Sequence, residues 1–262
     1  VNYYDHSRKF ISRRLALALV SAGVAPSIVP ALAQNSQQTG RLTARPQADR
    51  PPPSPSPPRG ISLLGLDRNH HDRDAILYAP ANFDPRTPLP LLLFLHGAGQ
   101  NGTLMVRALQ DSAERHGVLL LAPTSRATTW DMRRAPACED SASIDSALAQ
   151  VFAATTIDPH RIGIGGLSDG ASFALSLGLA NGDLFGEVMS FSAGFFHVPV
   201  RVGRPRIFLS HGHRDAIIDF RIGRQIADRL IESGYDVTFR PFEGGHGIPP
   251  DGLEAALLQL EG

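Results

Sequence analysis

The stretch Gly163-Ile164-Gly165-Gly166-Leu167-Ser168-Asp169-Gly170-Ala171-Ser172-Phe173 decides how this chain is read. A strand-like run at 161–165 enters it, a helical run at 171–179 leaves it, and G-x-S-x-G lies between. A strand that turns straight into a helix bends so tightly that the residue at the bend is strained and its side chain projects clear of its neighbours. Glycines two before and two after Ser168 remove the Cβ atoms that would collide there. The helix behind the serine aims backbone N–H groups, and the positive end of its dipole, at charge developing on a substrate oxygen. The same residues are one short of the dinucleotide pattern G-x-G-x-x-G. Ser168 stands where its last glycine should be, and the turn lies deep in the chain rather than at its first strand-to-helix turn. A nucleophilic serine is therefore the better reading.

Outward from this turn, strand and helix alternate. Residues 61–66 and 75–79 read as an antiparallel edge hairpin around a polar turn that contains His70 and His71, adjacent histidines of the solvated kind. Residues 89–95 are almost wholly apolar, as a central strand covered on both faces must be. A helix at 103–116 and a strand at 118–122 follow. A second helix at 143–155 ends before Asp158-Pro159, a pair that breaks the chain ahead of the serine strand. Strands at 187–191, 206–210 and 236–239 alternate with helices at 220–233 and 253–260. The expected fold is α/β, a three-layer sandwich of a mostly parallel twisted sheet with helices on both faces. Chemistry in such sheets gathers beyond the carboxyl ends of the strands.

Three turns at that end carry suitable residues. His96-Gly97-Ala98 follows the apolar strand, where a backbone N–H can serve as second oxyanion donor; the donors by position are the amides of Ala98 and Asp169. Ser210-His211-Gly212-His213-Arg214-Asp215 follows another strand, and Gly244-Gly245-His246-Gly247 follows the last. The order Ser168, Asp215, His246 matches a triad in which His246 takes the serine proton and Asp215 fixes the imidazole tautomer. Asp219 rivals Asp215 on the same loop but lies farther from the strand end. His211 and His213 share the acid's loop, His96 reads as a structural member of its turn, and His197 as packed or solvated. Trp130 either walls the substrate site or packs.

At these motifs the chain resembles the phospholipase/carboxylesterase family of α/β-hydrolases, which includes acyl-protein-thioesterase-like enzymes and bacterial carboxylesterases. The resemblance runs over 89–260 on Leu95-His96-Gly97, Gly166-Leu167-Ser168-Asp169-Gly170, His211-Gly212-His213-Arg214-Asp215 and Gly245-His246. It implies hydrolysis of carboxylic esters through an acyl-serine intermediate, with no metal or organic cofactor. The short connection at 193–205 leaves no room for the cap that many lipases insert, so the site should be open enough for a bulky or polymeric ester; the partner expected is a small-molecule or polymer-borne ester. Esters of feruloyl or acetylated polysaccharide, or polyesters, fit the same frame. A catalytically inactive binding module of this fold is the reading from another class.

The chain's start differs from the rest. Arg8, Lys9, Arg13 and Arg14 precede an apolar run, and Ala31-Leu32-Ala33 offers small-residue cleavage. Residues 1–33 thus read as an export signal, by the general secretory or the twin-arginine route, and the run is too short to span a bilayer. Export is not an intracellular thioesterase's setting, which turns the expectation away from an intracellular lipid-modified protein as substrate. Residues 34–59 are rich in Gln, Arg, Ser and Pro and read as an extended, disordered linker, which makes 60–262 the catalytic domain. Lys plus Arg and Asp plus Glu balance at 25 each, so no global field attracts nucleic acid or an anionic membrane. The single cysteine, Cys138, has no intramolecular disulfide partner, and no Cys/His cluster points to zinc.

Overall fold

The structure, a computed structural model, describes residues 40–46, 59–66, 74–84, 87–131 and 139–261. The order is β1 (Gly60–Leu63), β2 (Ile76–Ala79), β3 (Leu89–Leu95), α1 (Gly102–Arg115), β4 (Leu119–Ala122), α2 (Glu139–Ala154) and β5 (Ile157–Leu167). Then come α3 (Asp169–Ala180), β6 (Glu187–Phe191), β7 (Arg206–Gly212), α4 (Phe220–Glu232), β8 (Val237–Phe242) and α5 (Pro250–Glu261). The strands form one sheet in the order β1-β2-β4-β3-β5-β6-β7-β8. Only the β1–β2 and β2–β4 pairings are antiparallel, and the remaining five are parallel.

Period-two side-chain alternation divides the buried strands between two cores. Leu91, Leu93 and Leu95 of β3 share one core with Ile144, Leu148 and Val151 of α2, and with residues of α3 and α4. Leu92 and Phe94 point the other way, onto Met105, Val106 and Leu109 of α1 and Leu253 and Leu257 of α5. Helices therefore cover both faces, which is why every residue of β3 is buried. This is the three-layer α/β sandwich expected, and no large cap is inserted among the described residues. None of the described helices is long and apolar enough to cross a membrane.

Two local expectations need correcting. Asp158-Pro159 does not break the chain: β5 runs straight through it, and the pairing with β3 absorbs it as an irregularity between Leu89 and Leu91. Asp158 makes this possible by accepting from His160 N at 2.9 Å and Arg161 Nε at 2.7 Å. Helix α2 likewise starts earlier than its apolar periodicity indicates, because Glu139 and Asp140 place negative charge at the positive end of the helix dipole.

The expected disordered linker is also corrected over 40–46, which docks on the domain as a strap. Arg41 makes two hydrogen bonds to Asp183, at 2.7 and 2.8 Å, and Arg45 a third at 2.7 Å. Asn181 clamps the strap backbone from both sides, accepting from Leu42 N and donating to Gly40 O, each at 2.8 Å. Asp145 accepts from the backbone N–H groups of Thr43 and Ala44, and Leu42 is buried in the first core. These partners lie about a hundred residues or more along the chain, so local composition could not announce them. The expected signal at 1–33, the densest proline run, His70, His71 and Cys138 lie outside the described residues.

Candidate active site

Ser168 sits between β5 and α3 at φ 59° and ψ −117°, a backbone conformation that a side-chain-bearing residue rarely adopts. Close packing around the bend holds it there. A Cβ on Gly166 would lie 2.4 Å from the carbonyl of Gly170, and one on Gly170 would lie 2.3 Å from Leu95 O and 2.4 Å from His96 O. The Ser168 amide donates to Phe191 O of β6 at 2.8 Å, which ties the bend to the neighbouring strand. Both glycines of G-x-S-x-G are thus required by backbone approach, as the sequence indicated.

The turn after β3 lies against this bend: a Cβ on Gly97 would come within 3.4 Å of Ser168 Cβ. His96 holds the turn from below. Its Nδ1 lies 2.8 Å from Gly97 O and its Nε2 2.9 Å from Ser125 N. A carbonyl oxygen only accepts and an amide N–H only donates, so the ring is neutral with its proton on Nδ1. Burial, which lowers the pKa of His96, agrees with that state. Trp130 is buried, stacks on Phe173 with centroids 5.4 Å apart, and donates from Nε1 to His96 O at 2.8 Å. Of the two roles open to Trp130, this geometry is the packing one: the indole lies beneath the turn instead of walling an open cleft.

Sequence reasoning missed Asp140, which organises the same region. Its two carboxylate oxygens accept from Arg126 N and Asp131 N, each at 2.8 Å, and so hold the ends of the segment that carries Trp130. Burial, helped by the nearby Asp131 charge, pushes this carboxyl up to about 6. A buried acid at the start of a helix would have been the signal.

Asp215 and His246 come together beyond β7 and β8, with His246 Nδ1 2.8 Å from Asp215 Oδ2. The Asp215 side chain is fully buried and that of His246 is 14% exposed. Asp215 Oδ1 accepts from Ile217 N and Ile218 N, each at 2.9 Å. Burial alone would raise the Asp215 pKa, but these N–H groups and His246 hold it below the ordinary carboxylate value. The two turns meet backbone to backbone: Gly212 has no room for a Cβ, which would sit 2.3 Å from Gly245 O, and Arg214 N donates to Gly244 O at 2.9 Å.

The rivals fall elsewhere. Asp219 caps α4, accepting from Arg221 N at 2.8 Å, and pairs with the Arg221 guanidinium. His213 packs on Phe220 with centroids 4.2 Å apart, and His197 is exposed. Ser168, the Ala98 turn, Asp215 and His246 all follow the carboxyl ends of parallel strands in one sheet, so they share an edge. Among the described residues no hydrogen bond joins the Ser168 hydroxyl to His246, and no group of His, Cys, Asp and Glu could hold a metal ion.

Residues 138–261 match the Phospholipase/Carboxylesterase family. The chain is 25% identical over 204 residues to acyl-protein thioesterase 1 of Neurospora crassa, an alignment that covers 63% of this chain and 82% of that protein. Among solved structures, esterase PE8 superposes with a TM-score of 0.58 at 23% identity, covering 71% of this chain and 96% of its own. FphF, a fluorophosphonate-binding serine hydrolase of Staphylococcus aureus, gives 0.60 at 17% identity over 72% of this chain and 92% of its own. The folds agree, and the family's general activity is that of serine carboxylesterases. The chain has the α/β-hydrolase fold, and over residues 138–261 it is similar to the phospholipase/carboxylesterase family.

Proposed function

We propose that this chain is an exported serine esterase that cleaves carboxylic esters through an acyl-serine intermediate, with Ser168, His246 and Asp215 as its triad. The observation that carries the reading is the 2.8 Å contact between His246 Nδ1 and Asp215 Oδ2, on the sheet edge that bears the strained serine. An ionised carboxylate accepts only, so Nδ1 carries the proton and Nε2 is left as the base. The Ser168 oxygen attacks the ester carbonyl carbon while its proton passes to Nε2. The N–H groups of Ala98 and Asp169 stabilise the oxyanion, and the leaving alcohol then takes the proton from Nε2. Water repeats the sequence on the acyl-serine and releases the acid. Contact between serine and base in such sites tightens to about 2.6–3.2 Å when substrate is bound.

The absence of a large cap among the described residues supports a bulky or polymer-borne ester as substrate, feruloyl, acetyl-polysaccharide and polyester esters included. Fluorophosphonate treatment followed by peptide mapping should label Ser168, and His246→Ala should abolish the label. A folded wild-type protein that takes no label would favour a binding module of the same fold. A panel of short-chain, long-chain, feruloyl and acetylated-sugar esters ranks the substrates. N-terminal sequencing of protein recovered outside the cytoplasm should begin at Gln34 if residues 1–33 direct export.

A further inference from the structure

We propose that His211 is a positioning residue for this reaction, fixing the turn that carries Asp215 and setting a positive N–H edge against its carboxylate. The proposal rests on the triad reading above and adds a residue to it. His211 lies near the end of β7, and its side chain is 1% exposed. Its Nε2 is 2.9 Å from Ile218 O and 3.2 Å from Asp215 Oδ2. Both neighbours are acceptors, so Nε2 carries a proton whether the ring is neutral or charged. Ile218 is thereby held at both ends of its residue: its carbonyl accepts from His211, and its amide donates to Asp215 Oδ1 at 2.9 Å. Asp215 Oδ2, the oxygen that faces His246, is the one 3.2 Å from the His211 ring.

The fold leaves space for an imidazole here and for little else. A Cβ on Gly223 of α4 would sit 2.3 Å from His211 Nδ1, so the helix presents a glycine to the ring. Phe220 of the same helix meets the ring edge-on at 6.2 Å, and Ser190 of β6 and Phe239 of β8 line the small cavity beside it. The charged groups that act on the ring are therefore the carboxylates of its own loop, Asp215 and, at longer range, Asp219.

His211→Phe keeps an aromatic ring, somewhat larger than the imidazole, and removes the donor, while His211→Gln returns an N–H at a similar reach. Loss of the donor should lower kcat about tenfold with KM unchanged, one charge-assisted hydrogen bond's worth of orientation. The acid limb of the kcat/KM profile should move to higher pH, because a carboxylate that loses an N–H donor holds the His246 imidazolium more strongly. His211→Gln should recover most of the kcat and return the limb. A folded His211→Phe protein with wild-type kcat and limb overturns the proposal, as does a Gln variant no better than Phe. If His211→Phe does not fold, 15N-histidine NMR of the unmodified full chain decides: His211 must carry its proton on Nε2, and a bare Nε2 overturns the assignment. Ser168 labelling of the wild-type protein is run alongside. Labelling with an indifferent His211→Phe sinks this proposal alone, whereas a wild type that takes no label sinks the triad reading.

Discussion

Trp130→Phe tests how the turn bearing Ala98 is held. The substitution keeps an aromatic ring beside Phe173 but removes Nε1–H, the donor to His96 O at 2.8 Å. A buried carbonyl left without its donor costs about 1–3 kcal/mol, and the missing indole edge removes packing as well, so a loss of about 2 kcal/mol is expected. For a domain of about 200 residues this lowers Tm by about 4–8 °C. The carbonyl in question immediately precedes Gly97-Ala98, so the loosened turn would present the Ala98 amide in the right place less often. Complete loss of an oxyanion donor costs about 2.7–4 kcal/mol, and partial misplacement should lower kcat about tenfold. KM should stay within about twofold, since the indole is not expected to touch the substrate. Thermal unfolding and steady-state hydrolysis of a short and a long acyl ester measure both quantities. An unchanged Tm together with a shifted KM or altered chain-length preference would refute the reasoning and return Trp130 to the substrate wall.

Gly170→Ala should abolish activity and sharply reduce folded yield, because the added methyl meets the Leu95 and His96 carbonyls at 2.3 and 2.4 Å; soluble expression and fluorophosphonate labelling test it. Leu42→Ala should lower stability by about 2 kcal/mol, the low end for a buried leucine since the strap can adjust, with kcat unchanged in the same assay. His116 should make stability depend on pH through its contacts with Glu254 at 2.8 Å and Glu261 at 2.5 Å. Burial opposes its charge, but the two carboxylates prevail and raise its pKa, so its contribution is complete below about 6.5 and is lost as pH rises through the folded value. Glu254, held down to about 2 chiefly by its bond with His116, contributes fully above its unfolded pKa and loses that contribution as pH falls through the folded value. The stability difference between wild type and His116→Gln should therefore be largest at about pH 4.5–6.5 and shrink on either side, as thermal melts across that range will read.

The serine bend was legible because its requirements are local: two glycines, a preceding strand and a following helix lie within eleven residues of sequence. The choice of Asp215 over Asp219 rested on distance from the strand end alone. The structure adds what no spacing could show, that Asp219 is engaged by α4 and Arg221 while Asp215 meets His246. His211 was passed over because a buried histidine and a solvated one look alike in sequence; only the fold brings Ile218 O and Gly223 to its ring. The strap was hidden for a related reason. Arg41, Leu42 and Arg45 read as polar linker until Asp183, Asn181 and the core supply their partners. Burial of Trp130 was likewise undecidable, since a lone tryptophan carries no periodicity to say which way it faces.

The contact between Gly212 and Gly244-Gly245 has a consequence for how such a protein can change. Because main chain, and not side chain, sets the spacing between the Asp215 and His246 turns, that spacing is insensitive to most exchanges at surrounding positions. Substrate preference could therefore drift by revising the connection at 192–205, which contributes none of these main-chain contacts, while the proton-handling pair keeps its alignment. Replacing Gly212 would be another matter, since a Cβ there would meet Gly245 O at 2.3 Å and Gly244 O at 2.5 Å and push the two loops apart.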